Sequence, residues 1–120
     1  MNTATTGTSA VPLWEQIAEL HGRDRRRSQA PEGVAELLLV TKVSEEANEA
    51  AELYRRSKGW GTDGPITALP REVQHEMCAA ILAGMVALHQ LCPDGTAAQV
   101  WDDYLSYGYA RAAAENRTAA

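Results

Sequence analysis

Acidic side chains lie within the apolar face of the helix that residues 42–54, KVSEEANEAAELY, are predicted to form. At 100° per residue, positions three, four or seven residues from Glu46 fall within about 60° of it. Four of these positions are apolar: Leu39, Val43, Ala50 and Leu53. Glu49 lies beside this stripe. Because burial of an unpaired carboxylate costs several kcal/mol, a chain that places Glu46 there is expected to bring a cation or another charged group to it.

Proline and glycine residues divide the chain into four predicted helices, and no segment shows the pattern of a strand. The helices are predicted at residues 11–27, 31–58, 70–91 and 96–115. Pro31 and Pro70 suit helix starts, and the turn-rich segment GWGTDGP follows the second helix. We therefore expect one helical domain over residues 11–116, with a polar, disordered tail at 1–10 and a frayed tail at 117–120.

The third predicted helix is apolar on nearly every side after Glu76. Small residues share the face of Glu76 and larger residues lie on another face: Ala80, Ala83 and Ala87, against Met77, Ile81, Met85 and Leu88. A helix that is apolar all round must be enclosed, both within its own bundle and by a second subunit. The sequence thus predicts an all-α protein, an antiparallel four-helix bundle that forms an obligate oligomer.

Composition and charge limit the classes of function. The 120-residue chain has a formal net charge of −5, so we expect no binding to nucleic acid polymers. No apolar run approaches the roughly 18 residues of a membrane span, and the first residues lack the basic and apolar regions of a signal peptide. The two cysteines, Cys78 and Cys92, suit reduced thiols. We therefore expect a cytoplasmic protein without membrane association.

Glu46, Glu49 and Glu76 form a candidate metal site. The first two are three residues apart and reach one point beside their helix, and Glu76 faces the same way from the third helix. Converging carboxylate oxygens are hard ligands that suit Mg²⁺ or Mn²⁺. The simpler alternative is a solvated acidic helix in which Lys42 pairs with Glu45 or Glu46.

A di-iron carboxylate bundle is another alternative, because Glu72 and His75 match the Glu-x-x-His ligand pattern. Such sites need a second Glu-x-x-His on another helix. Neither His21 nor His89 has a glutamate three residues before it, so the pattern disfavours iron.

The pattern KxxEExxE, formed by Lys42, Glu45, Glu46 and Glu49, resembles the motif of the all-α nucleoside triphosphate pyrophosphohydrolases. The most similar subgroup is the short MazG-like proteins, and the resemblance covers residues 37–91. It implies a homodimeric or homotetrameric helical bundle that uses Mg²⁺ to cleave a nucleotide between its α- and β-phosphates. The products would be a nucleoside monophosphate and pyrophosphate.

By this resemblance the metal ligands are Glu46, Glu49 and Glu76, and all three also count as catalytic. Glu45 takes the role of a base or of a ligand to metal-bound water. The expected cofactor is Mg²⁺, with Mn²⁺ as a substitute.

Ala79 departs from the family pattern, because the family has a metal-binding Asp at this place. Loss of such a ligand weakens metal binding and slows the chemistry. Three explanations stay open: an engineered substitution, a natural substitution for which Glu72 or His75 compensates, and a catalytically inactive relative that still binds nucleotide or a protein partner.

Five further residues are candidates for contact with the nucleotide: Lys42, Trp14, His21, Trp60 and Arg111. Lysine and arginine suit phosphate, and aromatic rings suit a base. Four of these residues also have simpler structural interpretations. Lys42 is also placed to pair with the neighbouring acids, Trp14 and Trp60 to pack on the bundle, and His21 to lie exposed or at a helix end.

Overall fold

The computed structural model describes residues 10–62 and 64–119, and four α-helices account for most of them. They are α1 (Leu13–Arg27), α2 (Glu32–Ser57), α3 (Pro70–Leu91) and α4 (Ala97–Ala119). These described residues contain no strand, so the expected all-α class is confirmed. None of the described helices combines the length and apolarity that crossing a bilayer requires. The tail expected at residues 1–10 lies, except for Ala10, outside the described residues.

Proline residues mark the starts of three helices. Pro12 and Pro31 immediately precede α1 and α2, and Pro70 is the first residue of α3. A proline suits these places because the first amides of a helix have no intrahelical acceptor. Glu72 adds a second signal at the start of α3, where its Oε1 accepts a hydrogen bond of 2.7 Å from the backbone N–H of Leu69.

Gly59 ends α2 by adopting the left-handed conformation, with φ of 75°. The backbone N–H of Trp60 then donates to the carbonyl of Arg55 over 2.8 Å, which satisfies one of the last carbonyls of the helix. A Cβ atom at Gly59 would also lie 3.0 Å from the carbonyl oxygen of Gly64. Only glycine fits this turn without strain.

The helix α4 is longer than its pattern predicted, continuing to Ala119 instead of ending near Glu115. Alanine has the highest helix propensity of all residues, and the end of α4 is rich in it. Residues 117–119, which were expected to fray, therefore belong to the helix.

The packed body consists of α1, α2 and α3. The contact between α2 and α3 is made largely by small side chains, with Ala50 on α2 and Ala83 and Ala87 on α3 all buried. Small residues let two helix axes approach closely. A hydrogen bond of 2.9 Å from Gln90 Nε2 to the carbonyl of Glu36 also joins α3 to α2.

The helix α1 packs on this pair through Ile17, which is 2% exposed and is the largest fully buried side chain of the described residues. The other buried residues are small: Ala35, Ala50, Ala68, Ala83, Val86, Ala87 and Ala97. The helix α4 touches the body at its start, where Ala97 is its only buried residue. Four helices are therefore present, as a four-helix bundle requires, but α4 leaves the other three after its first turns.

Ile17→Ala is expected to destabilise the protein by about 2–5 kcal/mol, because truncation of a fully buried aliphatic side chain loses burial energy and leaves a cavity. Urea unfolding followed by circular dichroism measures this change. Leu13→Ala in the same helix is the control, since Leu13 is half exposed and its truncation is expected to cost less than about 1 kcal/mol. Equal losses for the two variants would show that α1 is not anchored through Ile17.

Candidate metal centre

Three carboxylates meet between α2 and α3. Glu46 and Glu49 on α2 and Glu76 on α3 each bring one ligand oxygen within 4.8 Å of the others. Glu46 and Glu76 are half-buried, and Glu49 is exposed. These three residues, which we call the acidic cluster, are the only group of three or more potential metal-ligating side chains found among the described residues.

The local sequence explains this convergence. Glu46 and Glu49 share a side of α2 because they are three residues apart. Glu76 shares a face of α3 with the buried residues Ala83 and Ala87. That face packs on α2, so the close approach of the two helices carries Glu76 to the pair of glutamates.

The environment of Glu76 favours its protonated form. Its pKa is raised to about 7, first because its proton is stabilised by the carboxylate of Glu46, then because burial removes solvent, and then because Glu49 acts in the same way. Its Oε2 atom is buried and has no hydrogen-bond partner. A cation at this place would replace the proton and give Oε2 a partner.

An open crevice of about 130 Å³ adjoins the cluster at Glu46. It lies where α1 faces α2 and α3, and most of its lining is aliphatic: Leu20, Leu39, Ala79, Leu82, Ala83 and Val86. Its charged lining consists of Arg23, Asp24, Lys42 and Glu46. A cleft with aliphatic walls and a few charged groups is the usual form of a small-molecule site.

Lys42 lines the crevice and has no acidic partner within the described part of the chain. The ion pairs found among residues 10–62 and 64–119 involve arginines: Arg23, Arg25 and Arg55. Neither Glu45 nor Glu46 is paired with Lys42, so the alternative of a solvated helix tied together by that pair finds no support. The Lys42 ammonium group is available to an anion in the crevice.

Ala79 also lines the crevice, one turn of α3 beyond Glu76. Its methyl group therefore occupies the place from which a longer acidic side chain would reach the same space. Glu72, named above as a compensating ligand, is engaged elsewhere, because its carboxylate accepts the hydrogen bond from Leu69. His75 is exposed and lines a separate groove that also contains Glu76.

The other candidate residues lie outside the acidic cluster. Glu45 is exposed on α2 and is not among the grouped carboxylates. Trp14 lines a gap on the far side of α3 with Met85, Leu88 and Trp101, which agrees with a packing role. Trp60 is exposed, with its ring 6.2 Å from that of Tyr54 in a T-shaped contact. Arg111 lies on α4 with its guanidinium 5.7 Å from the ring of Tyr107.

His21 contacts another histidine. Its Nδ1 atom is 2.7 Å from Nδ1 of His89 on α3, and the two rings meet edge to face. Burial lowers the pKa of His21, and the nearby charges of His89 and Arg25 lower it further. A hydrogen bond between two Nδ1 atoms needs one donor and one acceptor, so at least one ring is neutral.

Of two further crevice residues, Asp24 was not singled out from the sequence, and Arg23 was considered only as part of a basic cluster that could attract phosphates or simply be solvated. They belong to a run of charges, RDRRR, that is typical of a solvated helix end. Arg23 donates to Asp24 over 3.1 Å. The available signal was helical spacing, because Leu20 and Arg23 are three residues apart and face the same side.

Comparison of the chain with models of protein families, with curated proteins and with solved structures finds no match. Function is therefore argued from the geometry of the acidic cluster and from the motif that carries it.

Glu76→Gln is expected to make the metal-free protein relatively more stable as the pH rises from 5 to 8. In the native chain the folded state keeps the Glu76 proton up to a pKa of about 7, whereas the unfolded chain releases it near 4.5. The free energy of unfolding therefore falls between these pH values through this group. Glutamine stays neutral and removes the loss.

The measurement is the melting temperature of both proteins in a chelator across this pH range. The difference, variant minus native, should grow with pH and level off above 7. Parallel curves would show that the folded state does not raise the pKa of Glu76.

Proposed function

We propose that this chain is a Mg²⁺-dependent nucleotide pyrophosphohydrolase of the MazG-like type. In this proposal it cleaves a (d)NTP or a related nucleotide to the monophosphate and pyrophosphate. The observation that carries the proposal is the convergence of Glu46, Glu49 and Glu76 beside a crevice that holds an unpaired lysine. The resemblance of the motif around these residues to that family gives the reaction class.

The cluster fits a divalent cation in charge and in ligand chemistry. Three carboxylate groups offer only oxygen donors, which Mg²⁺ and Mn²⁺ prefer to nitrogen or sulfur. The buried, unpartnered Oε2 atom of Glu76 is the second feature that fits. When bound, Mg²⁺ would neutralise phosphate charge and lower the pKa of a bound water.

The glutamates around the cation have different proposed roles. Glu46 and Glu76, which are half-buried, lie between the helices and would hold the cation. Glu49 is the most exposed of the three carboxylates, so it is the best placed to accept a proton from a solvent water. Glu45 is the alternative base.

Cationic groups attract the polyphosphate to this place. Lys42 is unpaired, and Arg23 is tied to a single carboxylate, that of Asp24. Both side chains line the crevice that opens from Glu46, where they reduce the repulsion between the acidic cluster and phosphate oxygens. The aliphatic lining suits contact with a less polar part of the nucleotide.

A second candidate function is favoured by Ala79. A site with three carboxylates and a methyl group where the family has Asp retains charge for binding but loses a ligand for catalysis. The alternative is a catalytically inactive MazG-like bundle that binds nucleotide or a protein partner. Both candidates are proposed as cytoplasmic homodimers or homotetramers.

Glu46→Gln is expected to abolish the rise in melting temperature that Mg²⁺ or Mn²⁺ produces in the native protein. The reason is that a binding cation stabilises only the folded state, and the variant loses a charged ligand. Differential scanning fluorimetry against cation concentration measures the rise. Glu45→Gln is the matched control, because it makes the same change at the adjacent residue outside the cluster and should retain the shift. A shift that survives in Glu46→Gln would contradict the ligand assignment.

Ala79→Asp is expected to increase pyrophosphate release from nucleotides, by about ten-fold or more if the missing ligand limits the chemistry. The test compares the variant with the native chain on a panel of canonical and modified (d)NTPs, with Mg²⁺ or Mn²⁺. Activity in the native chain supports the enzyme. Activity in the variant alone identifies a disabled enzyme, and activity in neither, with nucleotide still bound, favours the binding function.

A further inference from the structure

A pair of histidines joins the second half of α1 to the end of α3. Nδ1 of His21 lies 2.7 Å from Nδ1 of His89, and the ring centroids are 5.0 Å apart in an edge-to-face contact. Both residues are half-buried, and neither belongs to the acidic cluster. The pair is therefore a polar tie between two helices that the proposed chemistry does not use.

The second ring nitrogen of His21 limits where the pair can carry hydrogen. Its Nε2 atom is buried and has no hydrogen-bond partner. A neutral imidazole holds a hydrogen on one nitrogen and accepts at the other, and a buried N–H group without an acceptor is the rarer kind of unpaired polar group in proteins. The geometry therefore places the hydrogen of neutral His21 on Nδ1, from which it donates to Nδ1 of His89.

Uptake of a proton by either ring conflicts with this arrangement. A protonated His89 cannot accept at Nδ1, so His21 would have to become the acceptor and carry its own hydrogen on Nε2. A protonated His21 also has a hydrogen on Nε2, and it is charged as well. Two protonated rings have no acceptor between them and repel each other. In every case the pair either loses its hydrogen bond or buries an unpartnered N–H group, and both outcomes weaken the contact.

The charged groups of α1 near His21 do not offset this cost. Asp24 favours a charged His21, but its carboxylate is already paired with Arg23 over 3.1 Å. Arg25, on the other side, disfavours a second cation beside it. The helix itself therefore offers no free carboxylate to a protonated His21.

The neighbouring helices add no such group either. Two acids of α2 reach this end of α1, and both approach Arg25, Glu32 at 3.2 Å and Glu36 at 3.9 Å. On α3 the titratable group that faces His21 is His89. Burial lowers the pKa of His21 most, and the charges of His89 and Arg25 lower it further. The surroundings thus keep His21 neutral while α1 is packed on α3.

The pair lies beside the part of α1 that forms one wall of the crevice. Three residues of this part line the crevice: Leu20, Arg23 and Asp24. Ile17 is the buried residue of α1, and the turns after it are held by weaker contacts, which include the histidine pair and the ion pairs of Arg25. Exposed ion pairs of this kind contribute little stability. Loss of the histidine contact would therefore free the end of α1 while Ile17 keeps its start in place.

We propose that the His21–His89 pair is a latch that proton uptake releases. The neutral pair holds the last turns of α1 on α3, and the protonated pair lets them leave, which opens the α1 wall of the crevice. The latch goes beyond the proposed function and does not depend on metal binding or on nucleotide cleavage. Its failure and the failure of the catalytic proposal are therefore separate results.

The direction of the pH dependence follows from the lowered pKa of His21. When the end of α1 is open to solvent, His21 takes up a proton near pH 6.5, whereas the closed helix disfavours that proton. The closed state is therefore most stable above pH 6.5 and loses stability as the pH falls below it. Glu76 acts in the opposite direction, because its raised pKa stabilises the fold as the pH falls from about 7. It cannot imitate the release.

Hydrogen–deuterium exchange of residues 17–27 in the full chain tests the latch from pH 7.5 to 5.5. After correction for the intrinsic exchange rate, the opening equilibrium constant should rise by about ten-fold or more, since one proton gives up to ten-fold per pH unit. The double variant His21→Asn with His89→Asn should abolish the rise, because asparagine places a non-titrating amide near each Nδ1 position. His75→Asn is the matched control, the same change at an exposed histidine of α3, and should retain the rise.

An opening constant that does not change with pH in the native chain, or an equal rise in the double variant, would overturn the proposal. Should the double variant lose its helical circular dichroism at pH 7.5, ¹⁵N NMR of the native imidazoles decides instead. One ring should then hold its hydrogen on Nδ1 at pH 7.5 and show a coupling across the hydrogen bond to Nδ1 of a second ring. If all three histidines hold their hydrogen on Nε2 alone, the latch does not exist.

Discussion

The close contact between α2 and α3 is the constraint on which the rest of this structure depends. Alanines at the contact let the helices approach, and that approach forces Glu76 against two other glutamates. Three carboxylates within 4.8 Å repel one another, and the chain relieves this by holding a proton on Glu76 with a pKa of about 7. The same contact thus stabilises the fold by packing and holds three carboxylates in mutual repulsion. A bound divalent cation would reduce this repulsion.

The small core is the second constraint. Its buried side chains are mostly alanines, with Ile17 as the largest, while aromatic and aliphatic side chains on α3 and α4 face outward. A core of this size provides little hydrophobic stabilisation for a chain of this length. The association of chains proposed above would therefore add to stability as well as to assembly.

Local signals predicted the parts of the structure that depend on a single helix. Pro31 and Pro70 gave the starts of α2 and α3 to within one residue, and three-residue spacing placed Glu46 beside Glu49. Contacts between distant residues left no such signal. His21 and His89 are 68 residues apart, and no spacing rule relates them. Arg23 and Asp24 read as part of a solvated run, although their helix carries them to a crevice.

The sequence by itself determined the all-α class, the four helices and the faces on which the carboxylates lie, because periodicity and proline or glycine punctuation act within a few residues. Tertiary structure alone decided that oxygens of Glu76, Glu46 and Glu49 lie within 4.8 Å of one another. It also decided that Lys42 has no acidic partner among the described residues, and that α4 leaves the bundle. These outcomes depend on which helix faces pack together, and the packing is fixed by side-chain volumes across the whole core and not by any local pattern.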